Sequence, residues 1–112
     1  MGRIGARRPA AVKIYDELAA SEYVKPEGLY THFSSADCDG EYTLRQLSIF
    51  TETRKELCAH GVKHLICHTA ATSAILNYPQ TYFDMVRPGI AAYGLAEGFT
   101  PALSCLRKQI SL

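Results

Sequence analysis

Lys63-His64-Leu65-Ile66-Cys67-His68-Thr69, running directly into Ala70-Ala71-Thr72-Ser73-Ala74-Ile75-Leu76, is the stretch that decides the fold. Its first half is short, with Leu65, Ile66 and Cys67 at its centre, and reads as a buried strand. Its second half opens on small residues and predicts a short helix over 70–78, which Pro79 stops. A strand that feeds straight into a helix is half of a β–α–β unit. Working outward, the segment 41–60 places Tyr42, Leu44, Leu47, Phe50, Leu57 and Cys58 roughly on one helix face. Thr43 is the candidate cap at its start, and Gly61 stands where a helix-ending glycine belongs. Before it, Leu29 to Phe33 reads as another strand, followed by a polar loop over 34–40. Val12, Tyr15, Leu18 and Ala19 predict a helix over about 9–20, with Pro9 in its first turn. On the far side, Phe83 to Val86 reads as a third strand, Arg87-Pro88-Gly89 as a loop, and Ile90 to Leu95 as the start of a further helix. The tail is apolar at Leu103, Leu106, Ile110 and Leu112 and reads as a strand leading onward.

Strands alternating with helices predict an α/β fold with parallel pairing through right-handed crossovers. An open three-stranded parallel sheet would leave its edges unpaired. These strands, rich in Leu, Ile, Val and Phe, are also expected to be buried on both faces. The reading that reconciles the two is a partial (β/α)8 barrel of about three βα units.

In such a barrel, chemistry sits at the carboxyl ends of the strands and in the loops that follow. Here those places hold Thr31-His32-Phe33, then His68-Thr69 with Ser73 beyond, then Arg87-Pro88-Gly89-Ile90. Ser73 falls at a helix start, where its hydroxyl and the free N–H groups can hold a phosphate. Gly89 lets a backbone N–H approach a ligand closely. Arg87 can pair with a charge or cap an aromatic nitrogen, and His32 and His68 can hold it in place. Each residue alone has a plainer reading: a serine at a helix start is commonly a cap, a histidine at a strand end a structural hydrogen-bonder, and Arg-Pro-Gly a turn. Their shared placement on successive strand ends carries the functional reading.

Composition narrows the classes. The chain has 112 residues, 47% hydrophobic and 21% charged, with net charge +1. No basic cluster exceeds Arg7-Arg8, so no nucleic-acid surface is expected. No apolar run approaches the ~18 residues of a membrane span, and the first residues lack a signal peptide's apolar core, so a cytoplasmic location is the default expectation. Cys38, Cys58, Cys67 and Cys105 form no Cys-x-x-Cys pair and are expected to be free, buried thiols. Cys58, His60, His64, Cys67 and His68 lie close together but not at zinc spacing, and Cys67 and His68 point to opposite strand faces, so no metal is expected. Asp37, Asp39 and Glu41 alternate as a solvated loop, without the glycine and remaining ligands of a calcium loop.

The segments Met1-Gly2-Arg3-Ile4-Gly5, Tyr30-Thr31-His32-Phe33 with Ala36-Asp37, His68-Thr69-Ala70-Ala71-Thr72-Ser73, and Phe83-Asp84-Met85-Val86-Arg87-Pro88-Gly89-Ile90 with Tyr93-Gly94 resemble the alanine racemase family, in order and in spacing, over essentially the whole chain. The resemblance implies a pyridoxal 5'-phosphate barrel, a C-terminal β domain and a homodimeric parent that interconverts L- and D-alanine for cell-wall synthesis. It implies that Arg3 contacts the cofactor's phenolic oxygen and the substrate carboxylate. Ser73 would bind the phosphate, with Gly89 and Ile90 as backbone donors. Arg87 would face the pyridine nitrogen, supported by His32 and His68. An arginine there opposes protonation of that nitrogen and weakens the electron sink, which suits a racemase.

The sequence departs from the family in two ways. Thr72 stands where the family usually has asparagine. The family's anchoring lysine and opposing tyrosine, its two proton-transfer groups, have no counterpart: none of Lys13, Lys25, Lys55, Lys63 or Lys108 falls at a matching position. Residues 1–100 therefore read as the C-terminal part of the cofactor-binding barrel and residues 101–112 as the first strand leading into the β domain, an internal piece inactive by itself. A serine racemase of the same fold, or a non-catalytic remnant or binding module, are the alternatives.

Overall fold

The computed structural model describes residues 4–94. Arg3 and the whole of 101–112, to which the sequence assigns roles, lie outside the described residues. A 3-10 turn at Arg8–Ala10 leads into helix α1, Ala11–Ala19. Strand β1 is Gly28–Tyr30, helix α2 is Gly40–Ala59, strand β2 is Ile66–His68, and helix α3 is Thr72–Asn77. Two more 3-10 turns follow, Pro79–Thr81 and Gly89–Tyr93. The two strands are parallel, with Gly28 opposite Ile66, Leu29 opposite Cys67 and Tyr30 opposite His68. The expected α/β alternation and parallel β1–α2–β2 unit are therefore present.

Helix α2 fixes the frame. Asp39 is its N-cap: its side chain accepts from the Tyr42 N–H at 2.9 Å. Thr43, expected to be the cap, instead sits inside the first turn, fully buried, and donates its hydroxyl to the Asp39 carbonyl at 2.7 Å. An aspartate one turn earlier reaches the free first-turn N–H groups, so the threonine is not needed there. At the other end the Val62 N–H donates to Leu57 O and the Gly61 N–H to Cys58 O, 3.1 and 3.0 Å, with Gly61 at φ +100°. This is a Schellman ending, which requires a residue tolerant of positive φ. The turn before α1 is tied to α2 by the Arg8 guanidinium, which bonds Glu52 and Glu56, and α1 itself by the Asp16–His60 contact at 2.9 Å.

The third strand expected over 83–86 does not form. Phe83 has φ +52°, which breaks the extended backbone and sends its ring edge-on to Phe50, centroids 5.1 Å apart. The segment still runs beside β2 by other bonds. Asp84 donates its N–H to Cys67 O at 3.0 Å and accepts the Cys67 N–H on its carboxylate at 2.8 Å. Thr69 donates its hydroxyl to Thr81 O at 2.6 Å, and the Arg87 N–H donates to Ala70 O at 2.9 Å, forming a single parallel bridge between Ala71 and Arg87.

Burial is one-sided. Cys67 on one face of the sheet is buried, while Ile66 and Tyr30 on the other are 53% and 58% exposed, against the expectation of two covered faces. Of the cysteines described, all free, only Cys67 is buried. Cys38 and Cys58 are exposed, because Cys38 lies in the polar loop and Cys58 in the last turn of α2, away from its buried side. The main core gathers Phe33, Ala36, Ala70 and Ala74, with Leu47, Ile75, Tyr78 and Tyr82 packed around them. It lies beneath the carboxyl ends of the strands. A second, apolar hollow of about 470 Å³ lies between α1, β1 and α2, walled by Ile14, Leu18, Leu29, Ile49 and Phe50 among others.

Candidate functional site

The carboxyl ends of both strands, the start of α3 and the turn at Gly89 meet on one rim, with Arg87 at its centre. The bridge to Ala71 fixes its backbone. Its guanidinium spends four N–H donors on the protein: Nη1 on His68 Nδ1 and on His68 O at 3.2 Å, Nη2 on Thr31 O at 2.9 Å and Thr69 O at 3.2 Å. A guanidinium has five donors, so only Nε–H remains, with no hydrogen-bond partner among the described residues. Burial lowers the Arg87 pKa and the Tyr30 ring offsets this in part, but the group stays cationic.

His68 is held neutral. Burial, and then the Arg87 charge, push its pKa below the ordinary histidine value. Accepting from Arg87 on Nδ1 requires a lone pair there, which places the proton on Nε2. Tyr30, its partner in the strand register, stacks flat on the imidazole, centroids 5.1 Å apart and planes within 5°. The same phenol ring lies 5.4 Å from the Arg87 guanidinium carbon.

Two helix starts adjoin this arginine. Helix α3 begins after Ala71 and the Gly89–Tyr93 turn begins after Pro88, and neither residue caps the N–H groups that follow. Ser73, half-buried, is the second residue of α3, and Gly89 and Ile90 open the other turn, Gly89 at φ +45°. The Thr72 hydroxyl joins the two: it donates to Pro88 O and accepts from the Ala91 N–H at 3.2 Å. His32, exposed, and Ser73 wall a cavity of about 300 Å³ together with Phe33, Ser34 and Asp37, the last an exposed carboxylate.

Ser73, His68, Arg87, Gly89, Ile90 and His32 thus stand at the same end of the molecule. His68 bonds the Arg87 side chain, as the strand-end reading expects. Three contributors escaped the sequence reading: Tyr30, the carbonyls of Thr31 and Thr69, and the clamping hydroxyl of Thr72. Tyr30 had a signal, since it lies opposite His68 once the strands are paired in register. Backbone carbonyls carry none. Among the described residues no three His, Cys, Asp or Glu side chains gather to hold a metal ion, and no helix is long and apolar enough to cross a membrane.

Known proteins match this geometry. Residues 1–97 match the family described as alanine racemase, N-terminal domain. The alanine racemase of Treponema denticola is 36% identical over 95% of this chain, and that of Desulfovibrio desulfuricans 42% identical over 85%. The chain spans 28% and 26% of those two relatives. Among solved structures, the alanine racemase of Streptomyces lavendulae superposes with TM-score 0.80 at 33% identity, over 95% of this chain and 30% of that one. The Bacillus anthracis alanine racemase, solved with bound L-Ala-P, gives 0.77 at 34% identity, over 94% of this chain and 27% of that one. With a family model matched over residues 1–97 and relatives 36% and 42% identical over most of its length, the chain belongs to the alanine racemase N-terminal domain family.

Proposed function

We propose that this chain supplies the cradle for pyridoxal 5'-phosphate in an enzyme that interconverts L- and D-alanine. The observation that carries the reading is Arg87. Four of its donors are bound by the protein, which leaves one N–H beside two helix starts whose N-cap residues, Ala71 and Pro88, offer no side-chain acceptor. That donor set fits a phosphorylated pyridine. The Ser73 hydroxyl and the N–H groups of Gly89 and Ile90 would take the phosphate. Arg87 would meet the ring nitrogen. When bound, the cofactor supplies the electron sink that makes the alanine Cα proton removable. The chain's own part is to orient the ring and keep its nitrogen unprotonated: Arg87 cannot accept a proton, and His68, neutral and fixed by Tyr30, keeps the guanidinium pointed. Arg3, which the resemblance pairs with the phenolic oxygen and substrate carboxylate, and His32 belong to the same proposal.

The two proton-transfer groups have no counterpart in this sequence, so the assignment to this chain is binding and orientation, within an arc of a (β/α)8 barrel. The parallel pair and the open face at Tyr30 and Ile66 support that arc. Residues 101–112 as the way into a β domain, a homodimeric parent and a cytoplasmic location go with this reading.

Titrating the isotope-labelled chain with pyridoxal 5'-phosphate tests it. Amide shifts are expected at Ser73, Gly89 and Ile90 and at the Arg87 Nε–H, with no racemisation of alanine by the chain alone. Shifts confined to surface lysines would defeat the reading. So would failure of the gene, at its full natural length, to rescue a bacterium that requires D-alanine.

A further inference from the structure

We infer that Thr72 is a positioning residue, whose hydroxyl pins the Gly89–Ile90 turn against the start of α3 and so keeps the phosphate-binding arrangement formed before any ligand arrives. The inference rests on the proposed phosphate role of Ser73, Gly89 and Ile90, and goes beyond it by naming what holds those donors in register.

Ser73 and Gly89 are sixteen residues apart in the chain and belong to separate short elements. Ser73 belongs to a helix of 6 residues, and Gly89 to a 3-10 turn of 5. Neither is stiff by itself, because so short a helix has few internal hydrogen bonds. Arg87 and Ala71 are bridged through their backbones, but Pro88 and Gly89 lie beyond that bridge. Pro88 has no N–H to donate. Gly89, at φ +45°, holds a conformation that glycine leaves as readily as it enters. The turn closes over Gly89 through the Ala91 N–H to Pro88 O bond at 3.0 Å, but that bond lies within the turn and does not fix the turn against α3.

Thr72 provides the tie. Its hydroxyl is used in both directions at once: it donates to the carbonyl of Pro88, before the glycine, and accepts from the N–H of Ala91, after it. A single oxygen therefore spans the flexible residue. The residue is 7% exposed, so water competes poorly for these bonds. The space is also matched to the hydroxyl. A Cβ built on Gly89 would come 3.5 Å from Thr72 Oγ1, so the turn rests directly on that oxygen. Because Thr72 is next to Ser73 in sequence and against Gly89 in space, its bonds set the distance between the two sets of phosphate donors. Preorganisation of this kind improves affinity by removing the ordering cost from binding.

The test uses the whole chain and two readouts, hydrogen exchange at the Ala91 amide without ligand and titration with inorganic phosphate followed at the amides of Ser73, Gly89 and Ile90. Thr72→Val keeps the shape and removes the hydroxyl. The expected result is faster Ala91 exchange and phosphate binding weaker by roughly tenfold, the scale of one or two hydrogen bonds. Thr72→Ser restores both, which a loss of packing alone would not allow. Thr72→Ala serves in place of valine if the valine variant does not fold. Equal phosphate affinity in the wild type and the hydroxyl-free variant overturns the inference and leaves the phosphate reading standing. An Ala91 amide already unprotected in the wild type does the same. A folded wild type whose Ser73, Gly89 and Ile90 amides ignore phosphate overturns the reading itself, and the inference with it.

Discussion

Arg87 and His68 form a pair in which one charge is kept and the other is refused. The imidazole must stay neutral to accept from the guanidinium, and its pKa is pushed down by burial first and by Arg87 second. On acidification the unfolded chain therefore takes up a proton at His68 before the folded one does. Stability follows with a definite sign: the contribution is fully present above the ordinary histidine value of ~6.5 and is lost as pH falls below it. Denaturant unfolding at pH 7.5 and at pH 5 is expected to show this slope, and His68→Asn, which keeps an acceptor near the Nδ1 position, is expected to flatten it. A slope unchanged in the asparagine variant would assign the pH dependence elsewhere. Much of this cluster was legible in the sequence. His68 and Arg87 end adjacent pieces of backbone, and a strand-end histidine near an arginine has few other uses. The Thr31 and Thr69 carbonyls were not, because carbonyl acceptance is independent of residue type, and Tyr30 becomes readable only once the strand register places it opposite His68.

At the scale of elements, α2 was readable at its glycine and misread at its cap. Gly61 announces the helix end because φ +100° suits little else. Gly61→Ala meets no side chain, since nothing lies within 4 Å of the added carbon, so its cost is backbone strain alone. About 1 kcal/mol of destabilisation is expected in equilibrium unfolding. The expected third strand is broken at Phe83 by its φ of +52°, and Asp84 beside it takes over part of a strand's bonding. Alternating apolar residues around it suggest extension, yet its side chain does what a backbone carbonyl does in a ladder and accepts the N–H of buried Cys67. No propensity scale encodes an aspartate used as an edge. Asp84→Ala leaves that N–H unsatisfied and should cost ~1–3 kcal/mol, with Asp84→Asn recovering most of it. Equal stability of the alanine variant would mean that water replaces the carboxylate.

For the whole molecule, the parallel order was legible from strand–helix alternation, while the uncovered face at Tyr30 and Ile66 was not, since hydrophobic strands look the same whether or not a partner layer is present. The sheet's two margins also differ. Cys67, the middle residue of β2, has both backbone groups taken by Asp84, whereas β1 has no second neighbour among the described residues. An open strand edge beside an apolar hollow invites association. Sedimentation of the chain is expected to show self-association at micromolar concentration, reduced by Leu29→Lys in the wall of that hollow. Its extent is limited by the asymmetry. A tile with one sticky side and one finished side can close a pair and then has nothing further to offer. The aspartate that replaces a strand thus acts as a stop on growth: the expected product is a discrete twosome, and fibres should appear only when Asp84 is removed.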